Sequence, residues 1–237
     1  PAIDIVKSGT RREDLLLDSE EQEAVDIMMF AYDKAEQYRI PVLFIADGII
    51  AQMMEPVEMP EMVDFKIDPE KKPWACTGWK PGDDPEKRGV INSIYIDTES
   101  LSEHNAVLQA MYAEVTKNEQ MWENYNCEGA EYIITAFGTV ARIAKSAIDQ
   151  LKAEGINVGL VRPITVWPFP YKAVADAVNA DGVKAVLDVE LNEGQMLEDV
   201  KIAVNGAKPI DFFGHCGSQM PTTDEIIAKI KSMKEGK

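Results

Sequence analysis

Val158-Gly-Leu-Val-Arg-Pro-Ile-Thr-Val-Trp-Pro-Phe-Pro170 is the stretch that decides the fold. Its first four residues read as a strand buried within a sheet. Arg162-Pro163 ends that strand, because proline has no amide proton to offer a neighbour and holds the residue before it extended. Pro168 and Pro170 bracket Phe169 and release the chain into a helix near Tyr171. A strand, a stiff aromatic crossover and a helix in succession mark the middle of an open α/β sheet. Arg162 then stands at the carboxyl end of a strand, where ligands and partner surfaces gather in such sheets.

The pattern continues on both sides of this stretch. Apolar runs at 132–137, 185–189 and 210–213 predict further strands, and residues 139–153, 171–179, 195–204 and 223–233 predict helices between and after them. Thr222 and Glu225 form a capping box before the last helix. Strands alternating with helices give βαβ units with right-handed crossovers. Towards the amino terminus, residues 1–6 read as a short strand, 7–14 as a polar loop and 15–17 as a second apolar run. A strand there with no helix before it suggests a chain that begins inside a domain. Ser19 and Gln22 then open a helix whose stripe is Val25, Met28, Met29, Tyr32, Ala35 and Glu36, with the methionines expected as core filler. Arg39-Ile40-Pro41 stops it.

Residues 41–46, Pro-Val-Leu-Phe-Ile-Ala, form a continuous apolar run, which predicts a strand covered on both faces. Asp47-Gly48 ends it, with Asp47 a turn former first and a ligand contact second. Residues 49–57 leave through a short helical turn. Between Pro56 and Gly89 six prolines and mixed charges leave no period, so this is an extended strap pinned by Trp74 and Trp79. Residues 92–97 read as a short strand and 99–124 as one long helix, with His104 exposed near its start.

The 237 residues, 46% of them hydrophobic, suffice for one large domain or two modest ones. The net charge of −17, from 41 acidic and 24 basic residues, argues against nucleic acid. It suits a solvated surface or a docking field for a basic partner. No apolar run is long enough to span a bilayer, and the first residues lack the apolar core of a signal peptide. Cys76, Cys127 and Cys216 are far apart and make no CxxC pair. A metal or cluster site within the chain is not expected, and a reducing cytosol is.

Candidates for chemistry are sparse. Gly138-Thr139 joins a strand to a helix start, which attracts phosphate, but neither GxGxxG nor GxxxxGK[ST] is present and a tight turn accounts for it. Glu190, Asn192, Glu193 and Gly194 form another such loop, explained by capping. His215 beside Cys216 makes a weak nucleophile pair, since sequence neighbours rarely face each other. No complete active site emerges, so the residues describe a piece of an enzyme or an assembly module.

The stretch Gly-Leu-Val-Arg-Pro-Ile-Thr-Val-Trp-Pro-Phe-Pro170 resembles a motif of the α subunits of 2-oxoacid:ferredoxin oxidoreductases. Asp47-Gly48, Gln52 and Met53-Met54-Glu55-Pro-Val57 are similar to another segment of that family. Lys72-Pro-Trp74, Ile91-Asn-Ser93, Ala141-Arg-Ile-Ala-Lys-Ser146 and Gly194-Gln-Met with Glu198-Asp-Val200 also match. The likeness covers nearly the whole chain and is closest to the branched-chain (3-methyl-2-oxobutanoate) type, with 2-oxoglutarate as the alternative substrate.

The resemblance implies an enzyme that decarboxylates a 2-oxoacid with thiamine diphosphate, magnesium and CoA, and passes electrons through iron–sulfur clusters to ferredoxin. It implies a partial pyrimidine-binding domain at 1–57, a proline-rich linker and long helix at 58–125, and a transketolase C-terminal-like domain at 126–237. Asp47, Gly48, Gln52, Met53, Met54, Glu55 and Arg162 become candidates for an interface or strand-end crevice. No catalytic, cofactor-binding or metal-binding residue carries over. The front third of a family α subunit, with the glutamate that activates the thiamine ring, has no counterpart here.

Pro1 is compatible with a native terminus after methionine removal, a trimmed chain or a split gene. The implied partners are a β subunit holding the diphosphate and metal, a γ subunit and a ferredoxin-like subunit, in a cytoplasmic oligomer. The isolated chain is expected to be inactive, and the alternative is a non-catalytic assembly or regulatory module. Two departures from the family fall at Lys7–Arg12, where it has a glycine- and histidine-rich loop, and at Gly214-His-Cys-Gly-Ser-Gln219.

Overall fold

The structure is a computed structural model that describes residues 20–52, 58, 61, 72–76, 78–217 and 219–236. The expected strand at 1–6, the run at 15–17, the Ser19 cap and residues 53–57 therefore lie outside the described residues. The chain divides into two compact units, Pro1–Val57 with Tyr112–Lys237, and Glu58–Met111.

The first unit is organised around five strands: β1 (Trp122–Tyr125), β2 (Tyr132–Thr135), β3 (Val158–Pro163), β4 (Ala185–Glu190) and β5 (Ile210–Gly214). Their order in the sheet is β1-β3-β2-β4-β5. β2, β3, β4 and β5 pair in parallel, while β1 runs antiparallel to β3, with Glu123 opposite Arg162 and Trp122 opposite Pro163. Pro163 closes β3 as its last residue, where a missing amide proton costs least.

Alternation along each strand sends side chains to two cores. Ile134, Leu160, Leu187 and Val189 face one side and pack against helices α3 (Gly138–Ala153) and α6 (Thr223–Glu235). There α3 presents Val140, Ala144, Ala147, Ile148 and Leu151 at helical spacing. Ile133, Val161 and Val186 face the other side and pack against α4 (Tyr171–Val178) and α5 (Met196–Val204). Each fully buried aliphatic side chain contributes about 1.5–3 kcal/mol. α6 begins with the expected box, the Thr222 hydroxyl accepting from the Glu225 amide while the Glu225 carboxylate accepts from the Thr222 amide.

Also in this unit, α1 (Glu20–Tyr38) forms as the spacing predicts. Its methionines are not core, however: Met28 and Met29 are exposed. The following run departs further from expectation. Residues 41–46 form no strand; Leu43 is 84% and Ile45 76% exposed. A strand covered on both faces needs neighbours to accept its backbone groups, and none stands beside this run among the described residues.

In the second unit, residues 92–97 likewise form no strand, and Ile94 and Ile96 are exposed. The Trp79 indole N–H donates to the Asp84 carbonyl at 3.0 Å, with Arg88 over its ring. His104 stacks on Tyr95 with centroids 4.5 Å apart. The long helix α2 (Thr98–Asn118) stops six residues before the expected 124, because Trp122–Tyr125 become β1.

Candidate functional site

Asp47 reaches the start of α3 from far away in the chain. One carboxylate oxygen accepts from the Thr139 amide at 3.0 Å and the Thr139 hydroxyl at 2.7 Å. The other accepts from the amides of Ile49 and Ile50 at 3.1 and 3.0 Å, which shapes the turn Ile50–Gln52. The residue before α3, Phe137, offers no side-chain cap, so Asp47 supplies one. Its negative charge also suits the positive end of the helix. Burial pushes the Asp47 carboxyl up, but these amides and the Thr139 hydroxyl outweigh it and hold it below its ordinary value. Gly138, at φ 57°, leaves room for the contact, since a Cβ there would stand 3.0 Å from the carboxylate oxygen. Gly48 has open space around it, and Gln52 is exposed. Met53, Met54 and Glu55 lie outside the described residues.

Arg162 fastens three elements. Its guanidinium donates to Glu123 of β1 at 3.0 Å and to Glu23 of α1 at 2.7 Å, and its side chain is only 17% exposed. Lys145 of α3 holds the second Glu123 oxygen at 2.8 Å. Burial works against the charged guanidinium, yet the two glutamates prevail and raise its pKa. Burial likewise pushes Glu123 up, and Lys145 and Arg162 bring it below its ordinary value. Asp47 and Arg162 were both expected near strand ends, but they share no hydrogen-bond partner.

A small cleft of about 110 Å³ opens at the carboxyl ends of the strands, between Phe137, Pro163, Val166, Phe169, Glu190 and Met196. The Trp167-Pro168 peptide is cis. Thr165 takes its place beneath it, its hydroxyl donating to the Pro168 carbonyl at 2.8 Å. Val166 and Trp167 are exposed at this end, with Tyr112 set edge-on to Trp167. Glu190 is buried and accepts from the amides of Met196 and Leu197, both at 2.9 Å, so it caps α5. Asn192 accepts from the amides of Gly194 and Gln195, which is the capping loop expected from sequence.

Sequence reading missed the company Glu190 keeps. Asp188, two residues earlier, is fully buried and accepts from the Thr135 hydroxyl at 2.7 Å. The available signal was two acids at alternate positions in an otherwise apolar strand. His215 lies 3.8 Å from Glu225, not against Cys216, whose thiol is pushed up by a hydrogen bond to Glu193. Among the described residues, no three His, Cys, Asp or Glu side chains gather to hold a metal ion. Nor is any helix there long and apolar enough to cross a membrane.

Residues 15–124 match the family model of the pyruvate flavodoxin/ferredoxin oxidoreductase thiamine-diphosphate-binding domain. Residues 130–226 match that of pyruvate:ferredoxin oxidoreductase core domain II. The chain is 36% identical over 226 residues to the ketoisovalerate oxidoreductase subunit VorB of Methanothermobacter marburgensis, covering 95% of this chain and 61% of that subunit. It is 25% identical over 233 residues to the 2-oxoglutarate synthase subunit KorA of the same organism, covering 90% and 62%. A pyruvate synthase subunit PorA from Pyrococcus furiosus is 28% identical over 240 residues, covering 91% and 61%. This chain thus spans about three fifths of the length of these relatives. Two domains of pyruvate:ferredoxin oxidoreductases are thus matched in succession along the chain, and the similarity to these 2-oxoacid oxidoreductase subunits runs through both.

Proposed function

We propose that the chain is the interface-building part of the α subunit of a thiamine-diphosphate-dependent 2-oxoacid:ferredoxin oxidoreductase. That enzyme converts a 2-oxoacid to acyl-CoA and sends the electrons to ferredoxin. The observation that carries the reading is the succession of the two matched domains in one chain, with Asp47 from the first matched stretch capping α3 of the second. A branched-chain oxoacid is the preferred substrate, since the greater identity is to a ketoisovalerate oxidoreductase subunit.

The described residues do not fit the diphosphate and its metal ion. Among the described residues no acidic cluster is available for the metal, and two carboxylates at helix starts, Asp47 and Glu190, are engaged by backbone amides. Those groups are assigned to a β subunit, and the iron–sulfur clusters to further subunits. The work of this chain is positional: Asp47 ties residues 47–52 to α3, and Arg162 ties α1 to β1 and β3. The exposed run Val42–Ile45 supports assembly too, because apolar backbone of this kind gains most by pairing with further polypeptide.

The reading is tested by turnover with thiamine diphosphate, magnesium, CoA and a viologen acceptor. The chain alone should give none. Mixed with the β, γ and ferredoxin-like subunits and the remaining α-subunit polypeptide, it should turn over 3-methyl-2-oxobutanoate faster than 2-oxoglutarate, and Leu43→Lys should prevent assembly. Turnover by the chain alone, or a complete mixture that neither assembles nor reacts, would refute it.

A further inference from the structure

The capping of α5 by Glu190 leaves the neighbouring carboxylate unexplained. Asp188 lies in the middle of β4, on the face that carries Val186 and packs against α4 and α5. One of its oxygens takes the Thr135 hydroxyl, and the other meets no hydrogen-bond donor although the residue is wholly buried. An ionised carboxylate with a bare oxygen in a dry interior is strongly disfavoured, and the group relieves this by taking a proton. We infer that Asp188 is a neutral acid in the folded chain, so that one proton lies buried at the centre of the sheet, two residues before the carboxylate that caps α5.

The two acids differ in what surrounds them. Glu190 accepts from the Met196 and Leu197 amides and from the Asn192 side-chain amide, each at 2.9 Å. It also stands at the positive end of α5. Asp188 has only the Thr135 hydroxyl. The elements packed around Asp188 supply little opposing charge: β2 brings Thr135, β5 brings Phe212, and α4 turns Ala173, Val174 and Val178 inward. From α5 the charge of Lys201 favours ionisation, while Asp199 is engaged by Tyr171.

Burial first, then the neighbouring Glu190, push Asp188 up to about 8, with Thr135 and Lys201 opposing. A raised carboxyl pKa stabilises the fold in full below the ordinary carboxylate value, and that contribution is lost as pH rises through about 8. Above it, a second negative charge beside Glu190 disturbs the cap of α5. The wall of the strand-end cleft formed by Glu190, Gln195, Met196 and Asp199 then loosens.

The experiment is infrared spectroscopy of the full chain in heavy water, following the carbonyl stretch of a protonated carboxyl group. A band is expected at neutral pD, fading as pD rises through about 8. It should be absent in Asp188→Asn, which keeps the side chain's shape without a titrating proton. In Glu190→Gln the fading should shift to lower pD, because the neighbouring charge is gone. Amide exchange at Met196 and Leu197 should quicken in alkali for the native chain and not for Asp188→Asn. No band at neutral pD, a band that survives Asp188→Asn, or a fading unmoved by Glu190→Gln would overturn the inference. Should Asp188→Asn fail to fold, the native band and its shift in Glu190→Gln still decide it.

Discussion

Removing the Asp47 carboxylate tests how the chain joins its two matched stretches. Asp47→Ala deletes four accepted hydrogen bonds. The two to Ile49 and Ile50 sit in a loop that water can reach, and are worth about 0.5 kcal/mol each. The two to Thr139 act as a charged cap on α3 and are worth about 1–2 kcal/mol together. The sum is about 2–3 kcal/mol, less what water recovers at the exposed helix end. Asp47→Asn keeps an acceptor but loses the charge, and should cost about 1 kcal/mol. Thr139→Val removes the hydroxyl and leaves the amide, so a cycle with Asp47→Ala should show a coupling of about 1 kcal/mol. Because Asp47 is held below its ordinary pKa, its contribution is present above the normal carboxylate value and is lost as pH falls through the folded one. Urea unfolding at neutral and at acid pH measures all of this, with Thr139 amide exchange as the local reporter. A loss below about 0.3 kcal/mol for Asp47→Ala, or strict additivity with Thr139→Val, would refute the capping role.

Two further substitutions probe the rest of the frame. Arg162→Ala leaves Glu23 and Glu123 without their shared cation and should cost about 3 kcal/mol in urea unfolding, whereas Glu23→Gln should cost under about 1 kcal/mol. Equal effects would mean that Arg162 is not the hub. Gly159→Ala would place a Cβ 2.7 Å from the Cys127 Cα in the middle of β3, and should destabilise by about 1–3 kcal/mol with a matching fall in melting temperature. An unchanged melting temperature would show that the backbone there yields freely.

What could be read from sequence was what local chemistry alone determines. β2 to β5 and α3 to α6 announce themselves because each carries a strong period and its ends are marked by glycine, proline or a capping pair. Their observed limits differ from expectation by a residue or two. β1 was hidden inside the expected helix because Trp-Glu-Asn-Tyr carries too little hydrophobic signal to outweigh a long helical run. Only Glu123 meeting Arg162 across the pair shows why it is extended. Residues 41–46 failed in the opposite direction: the run is apolar enough for a central strand, but a strand is a property of pairs and no partner is present among the described residues. At the candidate site, the capping of the Glu190 loop was legible, since Asn and Gly before a helix have few other uses. Asp188 was not, because burial and an absent donor are facts of three dimensions.

β1 has a role beyond covering β3. A parallel sheet that ended on β3 would present a long apolar rim to any stray segment. Instead the rim is finished by four residues running the other way, one of them a glutamate clasped by Lys145 and Arg162. A short, charged, reversed selvedge is a poor template for recruiting another molecule's backbone. The same feature that escaped notice in sequence therefore makes this edge of the sheet a poor place for a stray strand to add.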